Sequence, residues 1–434
     1  MPDFDLLIRH TERDVGIAEG KIAELGPNIR GNATEEIDAT RLTVFPGAID
    51  SHLHFNEPGR TEWEGWATGS SACAVGGTTT VFEMPLNAHP PTIDGPAFDA
   101  KRAVAERSSF VDFGLWGGLI PGNIRHLKTL RDRGVVGLKA FMCNSGIDDF
   151  PYVDSNTLRE GMATAAKLGL LVAVHAESQE ITERLTKQKL AGGNVTVRDF
   201  LESRPIEAEL DAIGRATEIA ADTGCRLHVV HVSCGRGVEL VAAARAQGID
   251  VTCETCPHYL ILTEDDMEKI GAAAKCAPPL RSAADQSDLH NALAQITSIG
   301  SDHSPSPPEM KRSENFFEVW GGISGCQHLL ALLIDRKLPV DTISALTSIN
   351  VAERFGLSGK GGIAVGRDAD LTLIDLNNRD PVTTDSLQYR HKLTPYLGRK
   401  LPRVIRTILR GQTIAADGKL VGQPAGRIVR PARA

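Results

Sequence analysis

Asp50-Ser51-His52-Leu53-His54-Phe55-Asn56-Glu57-Pro58-Gly59 is the stretch from which the fold of this 434-residue chain is read. It follows an apolar run, Leu42 to Phe45, that predicts a buried strand. Alternation along a strand puts His52 and His54 on one face. Two imidazoles converging where a strand ends form a metal platform, because imidazole is a common zinc ligand. The same pair also reads as two solvated loop histidines, and the rest of the chain decides between the readings.

Working outward, residues 47–358 alternate strand-like and helix-like patterns. Candidate strands end near His54, Glu83, Leu119, Phe141, His175, His231, Glu254 and Asp302. Helix-period segments lie between several of them: Glu62 to Val75, Ser155 to Leu168, Ile206 to Thr223 and Gly235 to Gln247. Eight βα units in about 300 residues predict an α/β fold, the (β/α)8 TIM-type barrel. A doubly wound open sheet is the alternative, but no GxGxxG turn follows the first strand. Residues 1–46 and 359–434 carry short apolar runs between turn signals instead. Asp5 to Ile8, Val15 to Ala18 and Lys21 to Leu25 are matched at the other end by Ala369 to Leu376, Val404 to Gly411 and Gln412 to Ala415. These runs predict small antiparallel strands, joined into one β-sandwich formed by both termini and packed beside the barrel.

Composition narrows the class. Net charge is −8, from 47 basic and 55 acidic residues, which argues against nucleic acid as a partner. The first residues lack the basic start and long apolar core of a signal peptide, and no apolar run reaches membrane-spanning length. A cytoplasmic protein without a membrane partner is expected. Eight cysteines lie scattered without a spaced framework and are expected to be free, buried thiols. Cys253-Glu-Thr-Cys256 is a lone CxxC with no second pair, so neither a redox pair nor a zinc half-site is expected there.

Barrel enzymes carry their reactive groups at the C-terminal ends of strands. His52 and His54 end the first candidate strand. Lys139 sits inside the apolar fourth, Gly137 to Phe141. His175 ends the fifth, His231 the sixth and Asp302 the eighth. His228 and His231 lie three apart and therefore point to opposite faces of a strand. His231 is nearest the end and is assigned inward; His228 is expected to face the helices. Taken singly, each has a plainer reading, a strand-end histidine as a satisfied rim residue and Asp302 as a helix cap before Pro305. His258, His303 and His328 are left with structural roles.

Lys139 is the decisive oddity. A lysine in a buried strand is costly unless paired or neutral. A neutral amine beside metals can add carbon dioxide, giving an anionic carbamate whose two oxygens reach two metals. A salt bridge to a neighbouring carboxylate is the other reading. The predicted centre has His52, His54 and Asp302 around one divalent ion and His175 and His231 around the second. Carbamylated Lys139 and a water bridge them. Such ions acidify water and polarise a carbonyl, and Asp302 carries the proton to the leaving nitrogen. The chemistry is hydrolysis of an amide-like bond. Nitrogen and oxygen ligands suit zinc best, with cobalt or manganese as alternatives.

The order HxH, Lys, His, His, Asp on a barrel with a terminal β-sandwich resembles the amidohydrolase superfamily. Within it the chain is similar to the cyclic amidases, namely dihydroorotases, hydantoinases (dihydropyrimidinases) and allantoinases. The resemblance covers essentially the whole chain, including Gly366-Arg-Asp-Ala-Asp370-Leu near its end. Several long stretches resemble the allantoinases most. They are Asn56 to Gly65, Glu83 to Asn87 with Pro90-Pro-Thr92, and Lys275 to Arg281. Ser301 to Pro305 with Pro307-Pro308, Trp320 to Ser324 and His391 to Tyr396 add to the match. Dihydroorotases similar to this chain place an arginine for the substrate carboxylate where Asn56 stands. Hydantoinases place an oxyanion-binding tyrosine where Asn144 stands; Tyr152, beyond Pro151, is not assigned that role. The resemblance implies opening of the allantoin ring to allantoate in purine catabolism, with hydantoinase or dihydroorotase activity as the alternative. It implies substrate contacts at Asn56 and at the main chain of Ala277 and Trp320. For Asn56 the other reading is a turn-shaping residue, and for Trp320 plain packing. It also implies a homotetramer or dimer. A non-catalytic scaffold, known among such relatives, is disfavoured because all six ligand positions are present.

Overall fold

A computed structural model describes residues 2–432. Its centre is a series of strands: β1 (Ala48–Leu53), β2 (Thr78–Glu83), β3 (Asp112–Leu115), β4 (Leu138–Phe141), β5 (Leu171–His175), β6 (Arg226–Val229), β7 (Val251–Thr255) and β8 (Ser298–Ile299). β1 pairs with β2 and β2 with β3, all parallel. β4 to β8 pair in sequence, again parallel. Past β3 the chain bends at Trp116, and Gly117–Gly118 continues it along β4. The ring closes just beyond β8. Asp302 N–H donates to His52 O at 2.9 Å, and His54 N–H donates to His303 O at 2.7 Å. The fold is the expected TIM-type barrel, and its closure carries Asp302 to the two histidines of β1.

The strands are apolar because both faces are covered. In β5, Leu171 and Ala173 fill the barrel interior with Ile49, Phe82, Trp116 and Phe355. Val172 and Val174 face the surrounding helices instead. The helix Ile206–Thr223 shows the matching periodicity, burying Ala208, Ala212, Ile213, Ala216, Ile219 and Ala220. It stops at Gly224, whose φ of 66° lies in the left-handed region that glycine reaches without strain. The helix expected from Glu62 starts only at Trp66. The Glu57 carboxylate accepts the Trp66 N–H at 2.8 Å, and Gly65 has φ 91°. Residues before it therefore form a turn over the barrel mouth.

Both ends contribute sheets. Phe4–Arg9, Asp14–Ala18, Lys21–Gly26 and Ala33–Asp38 form a four-stranded sheet. One pair in it, Phe4–Arg9 with Ala33–Asp38, is parallel rather than antiparallel as expected, because residues 10–32 cross over between them as a hairpin. Thr43–Pro46, Leu371–Pro381, Lys400–Leu409, Gln412–Ala416 and Lys419–Leu420 form an antiparallel five-stranded sheet. Leu6, Ile8, Val15, Ile17 and Ile22 pack against Leu371, Leu373 and Ile408. Beyond the sheet the chain returns to the barrel, where Phe113 N–H donates to Arg427 O at 2.9 Å and Val429 N–H to Phe113 O at 2.7 Å.

A buried charge cluster joins these parts. Lys360 Nζ lies 2.6 Å from both Asp112 Oδ2 and Asp370 Oδ2. Arg410 pairs with the other oxygen of Asp112. Asp112 belongs to β3, while Asp370 directly precedes a sandwich strand, so one amine ties the barrel to the sandwich.

Candidate metal centre and active site

Five of the six predicted ligands converge at the barrel mouth in two adjoining groups. Asp302 Oδ1 lies 3.2 Å from His52 Nε2 and 3.7 Å from His54 Nε2. His175 Nδ1 and His231 Nε2 are 3.1 Å apart. The rings of His52 and His231 lie 5.3 Å apart between centroids, which sets the groups side by side. Donors about 2.1 Å from a tetrahedral ion stand roughly 3.4 Å from one another. Each group therefore has the spacing of ligands around one ion.

Burial supports the same chemistry. His54 is held down at about 4, chiefly by burial, and burial likewise takes His231 well below the usual imidazole range. Neutral imidazoles are the form that ligates a metal. Burial opposes ionisation of Asp302, yet His52 and His54 outweigh it and hold the carboxyl at about 2. Lys139 is fully buried on β4, and its amine has no hydrogen-bond partner among the described residues. Burial brings it down to about 7. Among the described residues no carboxylate forms a salt bridge with it.

The backbone explains what alternation missed. β6 ends at Val229 and β8 at Ile299, short of His231 and Asp302. Both residues have positive φ, 40° and 46°. L-residues rarely adopt this left-handed conformation, and here it reorients the chain just past each strand end. Alternation therefore does not extend to His231. His228 does not face the helices as expected. Its Nδ1 lies 2.8 Å from Thr252 Oγ1, and its Nε2 lies 3.8 Å from Glu254. Its ring packs on Phe355 inside the barrel. It is a structural histidine of the interior, beneath the mouth.

Two carboxylates assigned no role from sequence hold two of the predicted ligands. Glu254 Oε1 bonds His52 Nδ1 at 2.8 Å, and Glu177 Oε2 bonds His175 Nε2 at 2.8 Å. Each leaves the ring's other nitrogen facing the centre, which fixes the tautomer as carboxylate partners of metal-bound histidines do. Glu177 also pairs with Arg204. Glu254 was visible as a charged residue at a strand end, and that was its signal. Glu177 lies two residues past β5 and gave none. His258 is buried with neither ring nitrogen partnered among the described residues, and a ring nitrogen lies within 4.8 Å of Cys256 Sγ and an Asp302 carboxylate oxygen. All eight cysteines are free and buried, as expected.

A cavity of about 550 Å³ opens above the centre. His52, His54, His175, His231 and Asp302 line it, together with Ala277 and Trp320. Asn56 does not. Its amide donates to Pro305 O at 3.3 Å, and its φ of 64° marks a turn residue. The Trp320 N–H is spent on Met310 O at 2.8 Å, and its carbonyl accepts from Lys311. The Trp320 ring stands edge-on to Trp63, with centroids 4.9 Å apart.

Comparison with known proteins gives this geometry a context. The amidohydrolase family pattern matches residues 43–416. The chain belongs to the amidohydrolase family. An allantoinase of Rubrobacter xylanophilus is 53% identical, covering 100% of this chain and 99% of that protein. One from Solibacter usitatus is 50% identical over 96% of this chain and 93% of that protein. Among solved structures, the L-hydantoinase (dihydropyrimidinase) of Arthrobacter aurescens superimposes with a TM-score of 0.95 at 33% identity, covering 98% of this chain and all of that one. As an amidohydrolase, the chain is an enzyme with a small-molecule substrate. No helix among its described residues is long and apolar enough to cross a membrane.

Proposed function

We propose that this amidohydrolase opens the hydantoin ring of allantoin to give allantoate. The single observation that carries the activity is near-full-length identity of 50–53% to two allantoinases. Asn144, where hydantoinases place a tyrosine, supports that choice over the hydantoinase alternative. We propose His52, His54 and Asp302 as ligands of one divalent ion and His175 and His231 as ligands of a second. Zinc is the best match, with cobalt or manganese as substitutes. Lys139 would help hold the ions as a carbamate formed from carbon dioxide; its buried amine, without a hydrogen-bond partner among the described residues, supports this. Bound there, such ions supply Lewis acidity that polarises the scissile carbonyl and acidifies water.

The chain's own residues do the rest. The Asp302 carboxylate takes a proton from the attacking water and delivers it to the ring nitrogen as the amide bond breaks. Glu254 and Glu177 keep His52 and His175 aligned. Ala277 and the Trp320 ring bound the substrate ring from the side. We divide the chain into a hydrolase barrel, 47–358, and a sandwich from 1–46 and 359–434. We also place it in the cytoplasm as a homotetramer or dimer.

The test is hydrolysis of allantoin, hydantoin, dihydrouracil and dihydroorotate side by side by zinc-reconstituted protein. Allantoin is expected to be turned over far faster than the others. Preference for hydantoin or dihydrouracil would overturn the choice of ring while leaving the hydrolase intact.

A further inference from the structure

The walls of the cavity differ in chemistry. Leu86, Phe200, Phe317 and Trp320 make much of it apolar. The helix Gln179–Ala191 faces it with Gln179, Thr182, Glu183, Thr186 and Lys187. These five positions recur at intervals of three and four and so occupy one helical face. All five are polar. Thr182 is buried and Gln179 and Thr186 are half-buried, while Glu183 and Lys187 stand exposed at the rim of the cavity.

Three of them are linked. Gln179 Nε2 donates to Glu183 Oε2 at 3.3 Å, and Lys187 Nζ lies 2.6 Å from Glu183 Oε1. Gln179 Oε1 also accepts the Asn144 N–H at 2.8 Å, which joins the row to the loop after β4. Gln179 retains one amide hydrogen, and the Glu183 carboxylate retains lone pairs. The row therefore presents donors and acceptors together at fixed spacing.

We propose that this helix face, centred on Gln179 and Glu183, is the subsite for the exocyclic substituent of the substrate, and that it selects a ureido group. The inference rests on the allantoin reading above and deepens it. Allantoin is hydantoin bearing a ureido chain, which offers three N–H donors and one carbonyl acceptor. Glu183 accepts from the N–H groups, and the Gln179 amide donates to the carbonyl. The apolar walls accommodate the ring, which is common to both molecules. Discrimination between a substituted and an unsubstituted ring then belongs to the helix, because only the substituted ring brings a partner to these hydrogen-bonding groups.

The experiment compares zinc-reconstituted wild type with Gln179→Leu and Glu183→Leu. It measures kcat and KM for allantoin, and for hydantoin kcat and KM or, where turnover is too slow, its inhibition constant against allantoin. Glu183 touches only Gln179 and Lys187 among the groups named here, so its variant keeps the β4 loop anchored. Unchanged metal content and circular dichroism certify the fold. The expected result is an allantoin KM raised about 10-fold in each variant, with kcat changed less and hydantoin binding unaltered. Parallel weakening of both ligands, or no change in either, would overturn the subsite. Failure of the wild type to open allantoin at all would overturn the activity reading itself, and is seen before any variant is made.

Discussion

Lys139, His52 and Asp302 show how far single residues could be read from the chain. A lysine within an apolar strand and an HxH at a strand end are chemically anomalous, and anomaly is legible in sequence. The orienting carboxylates were less so, because a hydrogen bond to the far nitrogen of an imidazole depends on packing between strands. Glu254→Gln is the test at this scale. It keeps shape and hydrogen bonding but removes the charge behind His52, so zinc affinity is expected to fall about 10-fold by competition with a chelator. Unchanged affinity would show that Glu254 merely fills space. The misplacement of His228 has a backbone cause. Alternation holds inside β6, but His231 lies past its end at φ 40°, and local pattern carries no signal of a left-handed residue there.

At the scale of elements, strand and helix existence followed hydrophobic period closely. Ile206 to Thr223 was read to the residue because its apolar stripe and Gly224 coincide with packing and termination. The delayed start at Trp66 escaped, since a glutamate from nine residues earlier decides it. Helix caps give a quantitative check. Asp154 accepts the Thr157 N–H at 2.7 Å at the start of Ser155–Lys167. Asp154→Ala is expected to cost about 1 kcal/mol near neutral pH. The Thr157 backbone hydrogen bond holds the Asp154 carboxyl below its ordinary value. A depressed folded-state pKa stabilises above the unfolded value of about 3.9 and loses that contribution as pH falls through the folded value. The penalty of the variant should therefore shrink in acid, read as converging unfolding midpoints of the two proteins. A constant difference across pH would show that the carboxylate is not the cap.

At the scale of the molecule, the sandwich and barrel share a buried charged junction that no local pattern reveals. Lys360 is held above its usual range; burial opposes its charge, but Asp370 and Asp112 outweigh it. Lys360→Met would leave buried Asp112 with Arg410 as its cationic partner and buried Asp370 with only the Arg410 backbone N–H. Breaking such a buried network costs about 3–5 kcal/mol, so thermal inactivation should move to distinctly lower temperature. An unchanged inactivation temperature would show that the two parts are coupled by apolar packing alone. On the proposal above, a carbamylated Lys139 would help hold two divalent ions at the barrel mouth. The most direct measurement is allantoin hydrolysis by Lys139→Ala, with and without a short-chain carboxylic acid, alongside its zinc content. Loss of activity with loss of bound zinc, and partial recovery with the added acid, is the predicted result. Full activity in Lys139→Ala without any added acid would contradict the proposed metal centre.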